Sequence, residues 1–466
     1  MSDYVFLGPS LDAAEAVDLL PGAIVRPPIE HGDLLRLDPG PGDRVFIVDG
    51  LFMLRAPVRH REILHYLDRG VVVAGSSSMG ALRAAELWQY GMRGAGTVFE
   101  LYRDGVVTDD DEVAVVHAPA EEDHRSMSEP LVNLRVALDR AARAGVLTTG
   151  EASRLLEIGR ALPFRARGRR ALRRAATGGP AGDSFERFAA WDAAGPTDVK
   201  AEDARLLLRL AAAGDRALRP RDAADTPIEN VDTYIMEAWT ARAHGRTAGG
   251  ALVSDAVTVA TIMVLHPEFP ARHAERVLAD LVGAERDADP ERVRQRAVTL
   301  AQERGLLPVD DPAAIYDSPL LTASDRDRSP ADAALRVLIR MFGPVDCGTL
   351  AVRNLPAALR TPEVIEAARS FAGSAMRLND RLPHPDPHRP HLRMTFRDEV
   401  VDRLLCRLWD CRPQELPAAV RDHGFVHLDR VRALLEPLTA GLKVCGPPAF
   451  PGAAAVSAPL ARLVSA

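Results

Sequence analysis

The sequence predicts an α/β N-terminal domain with a mostly parallel sheet, followed by an all-α C-terminal region, and three observations predict it. Through about the first 120 residues, short β-rich runs alternate with helical patterns. Two of the clearest strand runs, Val45-Phe-Ile-Val48 and Val71-Val-Val-Ala74, flank a helical stretch, which makes a βαβ unit with a right-handed crossover. From about residue 150 the chain turns to arginine- and alanine-rich helical patterns.

Taken in order, Tyr4-Val-Phe-Leu7 reads as a strand, and Ser10 is placed to cap a helix running toward Leu20. The strand Val45 to Val48 ends at Asp49-Gly50. Pro57 suits the first turn of a helix that continues to about Arg69, which Gly70 stops before the strand Val71 to Ala74. On that helix His60, Ile63, Leu64 and Leu67 follow i, i+3, i+4, i+7 spacing and form the stripe expected to face the sheet, with Arg61 and His65 on the adjoining face. Gly80 to Tyr90 has the composition of a good helix, and Glu112-Val-Ala-Val-Val116 reads as a further strand. A helix from about Pro130 to Ala144 closes the α/β region. The expected division is therefore an α/β domain over 1–150 and a helical extension over 151–466, with a second break near the Pro/His segment 382–390.

Composition bounds the function. The chain has 466 residues, enough for two or three domains at about 150 residues each. With 47% hydrophobic and 26% charged residues it is not a disordered, collagen-like or disulfide-scaffold chain. No stretch approaches the roughly 18 apolar residues of a membrane span, and Met1-Ser2-Asp3 lacks the basic start of an export signal, so a cytoplasmic protein is expected. The net charge of −7 gives the whole molecule no general attraction to nucleic acid or to anionic lipid. Cys347, Cys406, Cys411 and Cys445 show no C-x-x-C spacing, which fits a reduced compartment. Lys200 and Lys443 are the only lysines; arginine supplies the other 56 basic residues.

The segment that carries chemistry is Gly75-Ser-Ser-Ser-Met-Gly80, between a strand and a helix. Ser76-x-Ser78-x-Gly80 is similar to the turn that presents a nucleophilic serine at the carboxyl end of a strand. The amides of Met79 and Gly80 and the positive end of the following helix would then outline an oxyanion hole, and the small residues Gly75, Ser76 and Ser77 let the backbone turn sharply. An ordinary glycine/serine turn, or an anion site without covalent chemistry, has the same spacing. Both strands of the βαβ unit run the same way, so Asp49 and Ser78 are expected at one sheet edge. His60 is the candidate base, with Asp49 fixing its tautomer, whereas Arg61 keeps its proton and can only orient or stabilise negative charge. The plain alternatives are a core histidine at 60 and an Asp-Gly turn at 49.

These residues resemble the TfuA-like family. The resemblance rests on Phe46-Ile-Val-Asp-Gly50, His60-Arg-Glu-Ile-Leu64 and the specific block Gly75-Ser-Ser-Ser-Met-Gly-Ala-Leu-Arg-Ala-Ala-Glu-Leu87. It continues through Tyr90-Gly-Met92, Gly94-Ala-Gly96, Phe99-Glu-Leu-Tyr-Arg103, Asp110-Asp-Glu-Val-Ala-Val-Val-His117, Ser128-Glu129 and Asn133. It implies a partner of YcaO enzymes in peptide backbone thioamidation within peptide natural-product biosynthesis. Such a protein binds YcaO and a ubiquitin-like sulfur carrier, hydrolyses the carrier's terminal thiocarboxylate to release sulfide, and helps YcaO engage its precursor peptide; the small residues Gly75, Ser76 and Ser77 would let the carrier's narrow tail approach, or merely allow the turn. No cofactor of its own is implied; ATP and Mg²⁺ are used by YcaO. The family's site is a Ser-Lys pair, and Ser78 matches its serine. Arg61 stands where the family has lysine. Three outcomes follow: His60 takes over as base, Arg61 supports the oxyanion while another group activates Ser78, or the chain is a non-catalytic adaptor for YcaO, carrier and peptide. A serine esterase acting on a small ester is a third class of reading.

Four other groups invite a role. Asp109-Asp-Asp-Glu112 could hold Mg²⁺ or form a solvated turn or partner surface. His384, His388 and His391 could bind a transition metal or lie in an exposed Pro-rich loop. Arg83, Glu86 and Tyr90 could line a partner groove, although a helical salt bridge accounts equally for the charged pair. The seven arginines between Arg160 and Arg174 could grip an acidic partner or be a solvated basic helix.

Overall fold

The computed structural model describes residues 2–52, 55–118, 122, 124–177, 180–285, 288–344, 350–382 and 396–453. The chain forms two compact units, Met1–Asp232 and Thr233–Ala466.

The first unit is built on five parallel strands, β1 (Asp3–Phe6), β2 (Ile24–Arg26), β3 (Arg44–Ile47), β4 (Val72–Gly75) and β5 (Arg93–Gly94), in the order β2-β1-β3-β4-β5. Phe6 pairs with Ile47 and Ile47 with Gly75, so the carboxyl ends of the three central strands are level. In this doubly wound order the connections reverse direction between β1 and β3, and the crevice at their carboxyl ends is where such sheets bind ligands. The central strands carry near-continuous apolar runs because helices cover both faces. Val5, Phe46, Val48 and Ala74 pack in one cluster with Leu11, Ala16 and Leu20 around helix α1 (Ala13–Leu19) and with Ala204, Leu207 and Leu208 of α10 (Val199–Ala212). Helices α3 (His60–Asp68) and α4 (Met79–Leu87) flank β4 in sequence; Ile63, Tyr66 and Leu67 of α3 are buried.

The βαβ unit forms where the sequence predicts it, with shifts of about a residue at strand ends, the usual scatter of such boundaries. Asp12, not Ser10, caps α1, accepting from the amides of Ala14 and Glu15. The strand expected over 112–116 is absent: Asp110–Glu112 is a 3₁₀ turn, and His117 makes only an isolated bridge to Ser126. Glu112 is the reason, because its buried carboxylate takes the guanidinium groups of Arg135 and Arg160 and holds the segment as a loop.

Helices α5 (Thr97–Arg103), α6 (Leu131–Arg143), α7 (Thr149–Ala161), α8 (Arg169–Ala176) and α9 (Pro180–Asp192) complete this unit together with α10, so the helices that follow residue 150 belong to it as far as Ala212. Leu131, Leu134, Leu138, Leu155, Phe185 and Phe188 form the common core of α6, α7, α8 and α9.

The second unit is mostly helical and is organised around α12 (Asp255–Leu265), whose side chains from Thr258 to Leu265 are all buried. A helix apolar all round belongs in a core. Helix α16 (Pro362–Asp380) shares that core through Val364, Ala368, Ala372 and Ala375. The unit departs from an all-helical region in one place: β6 (Gly245–Ala248) and β7 (Ala251–Ser254) pair antiparallel across Gly249-Gly250, both at positive φ, as a two-residue hairpin turn requires. No helix among the described residues is long and apolar enough to cross a membrane.

Candidate functional site

The serine turn follows from two glycines. A Cβ on Gly75 would lie 2.0 Å from the carbonyl oxygen of Gly80, and a Cβ on Gly80 would lie 1.7 Å from that of Ile47. The end of β4 and the start of α4 therefore pack backbone to backbone, and three serines turn the chain in the space left. Ser77 takes the left-handed region at φ 67°, a strained conformation for a residue with a side chain and one that clusters at functional sites. Ser78 is the residue before α4, 9% exposed and with no capping hydrogen bond made by its hydroxyl. Ser76 and Ser77 are fully buried, and neither hydroxyl has a hydrogen-bond partner among the described residues. Three hydroxyls without partners among the described residues, at the positive end of a helix on the carboxyl edge of a parallel sheet, make a polar environment suited to an acyl oxygen or an anion.

Asp49 stands beside this turn, two residues beyond Ile47 on the neighbouring strand, as Ser77 stands two beyond Gly75. Its carboxylate is 2% exposed. It accepts from the amides of Gly8 (2.9 Å) and Ser10 (3.0 Å) and from the Ser10 hydroxyl (2.6 Å), which ties the ends of β1 and β3 together across the crevice. Met79 reaches the same place, since a Cβ on Gly50 would lie 2.7 Å from its Cγ. The Gly80 amide is engaged, donating to the Val48 carbonyl at 3.3 Å.

The structure does not bring His60 to Asp49. His60 opens α3 on the surface, and its Nε2 lies 2.8 Å from Glu86 Oε2. Glu86 is two turns along α4 from Ser78, about 12 Å at 1.5 Å per residue. Burial pushes the Glu86 pKa up, but the hydrogen bond from His60 and the charge of Arg83 outweigh it and hold the carboxyl below its ordinary value. His60 also leaves the sheet-facing stripe, where Tyr66 joins Ile63 and Leu67. Arg61 is exposed as well and donates to the Asn230 carbonyl at 2.9 Å. The pairing of Asp49 with His60 expected from the sequence is thus replaced by another. Arg83 ties α4 to the segment before α3, with Nε 3.2 Å from the Val58 carbonyl and Nη1 2.6 Å from Glu86, so the helical salt bridge accounts for that pair.

The partner of Asp49 is Lys200, near the start of α10. Its Nζ lies 3.9 Å from Asp49 Oδ1 and donates to the Val113 carbonyl at 3.2 Å, and the side chain is buried. Burial pushes the Lys200 pKa down, against the pull of the Asp49 and Asp198 carboxylates. Its position is fixed from both sides: Asp198 caps α10 by accepting from the Ala201 amide, while the Asn133 side chain accepts from the Lys200 amide at 3.3 Å and donates to Asp198 at 3.0 Å. One turn on, Asp203 accepts from the amides of Thr97 and Val98 and so anchors α5, with burial raising its pKa to about 6. Spacing could not reveal Lys200 or Ser10 as neighbours of Asp49; the one signal was that lysine is so rare here.

The remaining candidates resolve into structure. Asp111 is paired with Arg167 (3.0 Å) and Glu112 with Arg135 and Arg160, so two acids of the quartet are committed to arginines. Of the seven arginines from Arg160 to Arg174, Arg169 also bridges Glu129 and Asp192, and Arg173 pairs with Glu186 at 2.5 Å. Much of that basic run is therefore an internal ion-pair network. His384, His388, His391 and Cys347 lie outside the described residues. Among the described residues no cluster of three or more histidine, cysteine, aspartate or glutamate side chains could hold a metal ion.

Comparison with known proteins agrees with this N-terminal unit. No curated protein matches the chain. Residues 49–168 match the family model described as TfuA-like protein, a segment that begins at Asp49, contains the whole serine turn and ends before Lys200. Over that segment, about a quarter of its length, the chain is similar to TfuA-like proteins.

Proposed function

We propose that the chain acts with a YcaO enzyme in peptide thioamidation, as a serine-dependent hydrolase that releases sulfide from a thiocarboxylated ubiquitin-like carrier. The family match supports the YcaO association at family level. The observation that carries the hydrolase reading is Ser78, whose uncapped hydroxyl stands at a strained strand-to-helix turn beside the sheet's crevice. A thiocarboxylate is already an activated acyl group. Attack by Ser78 Oγ on its carbon forms an ester and breaks the C–S bond, the hydroxyl proton leaving with the sulfur as hydrosulfide; water then hydrolyses the ester, which restores the serine hydroxyl and releases the carboxylate. The positive end of α4 stabilises the charge that develops on oxygen. His60 is not the base in this reading, because its ring is held at Glu86, and Arg61 has no part in the chemistry.

The test is to incubate the purified chain with thiocarboxylated carrier and follow carrier mass and released sulfide. Conversion to carboxylate by the wild type, lost in Ser78→Ala and retained in His60→Ala, is the expected result. Absence of turnover above the uncatalysed rate, with and without YcaO, overturns the hydrolase and leaves an adaptor that brings YcaO, carrier and precursor peptide together.

A further inference from the structure

We infer that Lys200 is a ligand-binding residue of the serine-turn site, its ammonium receiving the anionic end of an acyl ligand, a carboxylate or thiocarboxylate. The inference deepens the reading above and rests on it only for the reaction that follows binding.

The argument begins with unmatched hydrogen-bonding groups. An ammonium has three donors. Lys200 uses one on the Val113 carbonyl, and Asp49 Oδ1 at 3.9 Å is beyond hydrogen-bond reach. Asp49 does not need the lysine for its own hydrogen bonds, since Gly8 and Ser10 supply three donors to its two oxygens. Among the described residues two donors of a buried cation are thus left without partners, and buried polar groups in native proteins are rarely left so. At the end of the neighbouring strand β4 the Ser76 and Ser77 hydroxyls are fully buried and equally without partners among the described residues. Asp49 and Ser77 follow paired strands at equal distance from a registered pair, and paired strands lie about 4.8 Å apart. A cation beside Asp49 and neutral hydroxyls at the end of the paired strand make an incomplete shell at one sheet edge.

The ligand that completes it is an anion with acceptor atoms. A second cation is excluded by the lysine, and an apolar group would satisfy neither the ammonium nor the hydroxyls. The positive end of α4 adds to the attraction. Lys200 lies outside the residues 49–168 that match the family model, so α10 brings to this edge a cation that the matched segment does not contain.

The composition of the chain allows a direct test on the full-length protein. Labelling lysine with ¹³C at Cε gives two signals, and Lys443→Arg leaves only that of Lys200. The signal is followed on addition of sodium acetate, sodium thioacetate, and a peptide ending in Gly-Gly as its free acid or its amide, each against sodium chloride at equal ionic strength. The expected result is a saturable shift with acyl anions, absent with chloride and with the amide, and about tenfold weaker in Ser77→Ala, as loss of a hydrogen bond to a charged group predicts. A tighter response to the peptide acid identifies a polypeptide terminus as the ligand; an equal or stronger response to acetate identifies free acyl acids. A Lys200 signal that ignores every acyl anion, or follows chloride equally, overturns the inference and leaves Lys200 an internal counter-ion of Asp49. Carrier hydrolysis with a silent Lys200 signal would sink this inference alone. Saturable acyl binding without carrier turnover would sink the hydrolase reading alone.

Discussion

Lys200 Nζ and Asp49 Oδ1 lie 3.9 Å apart inside the first unit, the one contributed by helix α10 and the other by the end of strand β3. Removing one partner of a buried pair leaves a charge with no compensation, at a cost of about 3 kcal/mol, whereas removing both costs less. Asp49→Asn is therefore expected to lower unfolding stability in urea by about that amount, and Asp49→Asn combined with Lys200→Met to recover part of the loss. Strictly additive losses would show that the two charges do not act as a pair.

His60 and Arg61 sit on the surface, with His60 46% exposed. Exposed ion pairs contribute about 0–1 kcal/mol. His60→Ala and Arg61→Ala are expected to leave the melting temperature within a few degrees of wild type and carrier hydrolysis within about twofold. A loss of hydrolysis in a folded His60→Ala protein would contradict its placement at Glu86.

Gly75→Ala and Gly80→Ala should be among the most damaging single substitutions in the first unit. Each Cβ would meet backbone at 2.0 Å or less, and backbone cannot rotate away as a flexible side chain can. Overpacking of this kind costs about 1–3 kcal/mol or more, and here it also separates Ser78 from the sheet edge. Chemical denaturation and the hydrolysis assay should fall together. Gly145→Ala, where nothing lies within 4 Å of the added carbon but φ is +72°, should cost only about 1 kcal/mol of stability.

The second unit should be acid-sensitive. His273 of α13 (Phe269–Leu281) is fully buried, stacked on Phe269, and neither ring nitrogen makes a well-formed hydrogen bond; His423 is stacked on Trp409 at 4.0 Å. Burial lowers both pKa values to about 4, and for His273 the Arg276 guanidinium adds to the effect. Because the folded pKa values lie below the unfolded value of 6.5, the unfolded chain binds more protons in between. The stabilisation is complete above about pH 6.5 and is lost as pH falls through the window down to about 4, at roughly 3 kcal/mol for each group. Trp409 fluorescence followed against urea at several pH values checks this. His423→Phe should flatten the profile.

How much of this was legible depends on the range of the interaction. The βαβ unit could be read because β-branched runs, a proline at a helix start and a glycine stop are local signals, and a single right-handed crossover then makes its two strands parallel. The strand expected at 112–116 failed because Glu112 is captured by Arg135 and Arg160, which lie 23 and 48 residues away, and local β propensity does not register such a pair. The Gly249-Gly250 hairpin was readable from its dipeptide but lies in a region whose composition is otherwise helical.

At the site, the sequence by itself determined the serine turn. Gly75 is dictated by backbone contact with Gly80 within six residues, Gly80 also by the Ile47 carbonyl of the neighbouring strand, and Ser78 is placed by the strand before it and the helix after it. It also determined that Asp49 shares that edge, since parallel strands joined by one crossover end on the same side. Only the tertiary structure decided which charged group Asp49 meets. His60 is 11 residues from it and on the expected helix, yet its ring turns out to Glu86; Lys200 is 151 residues away and comes to 3.9 Å. The physical reason is that a buried carboxylate takes whichever cation the packing of helices brings within reach, and helix packing is set by apolar contacts such as those of Leu207 and Leu208 on the sheet, which no short stretch of sequence encodes.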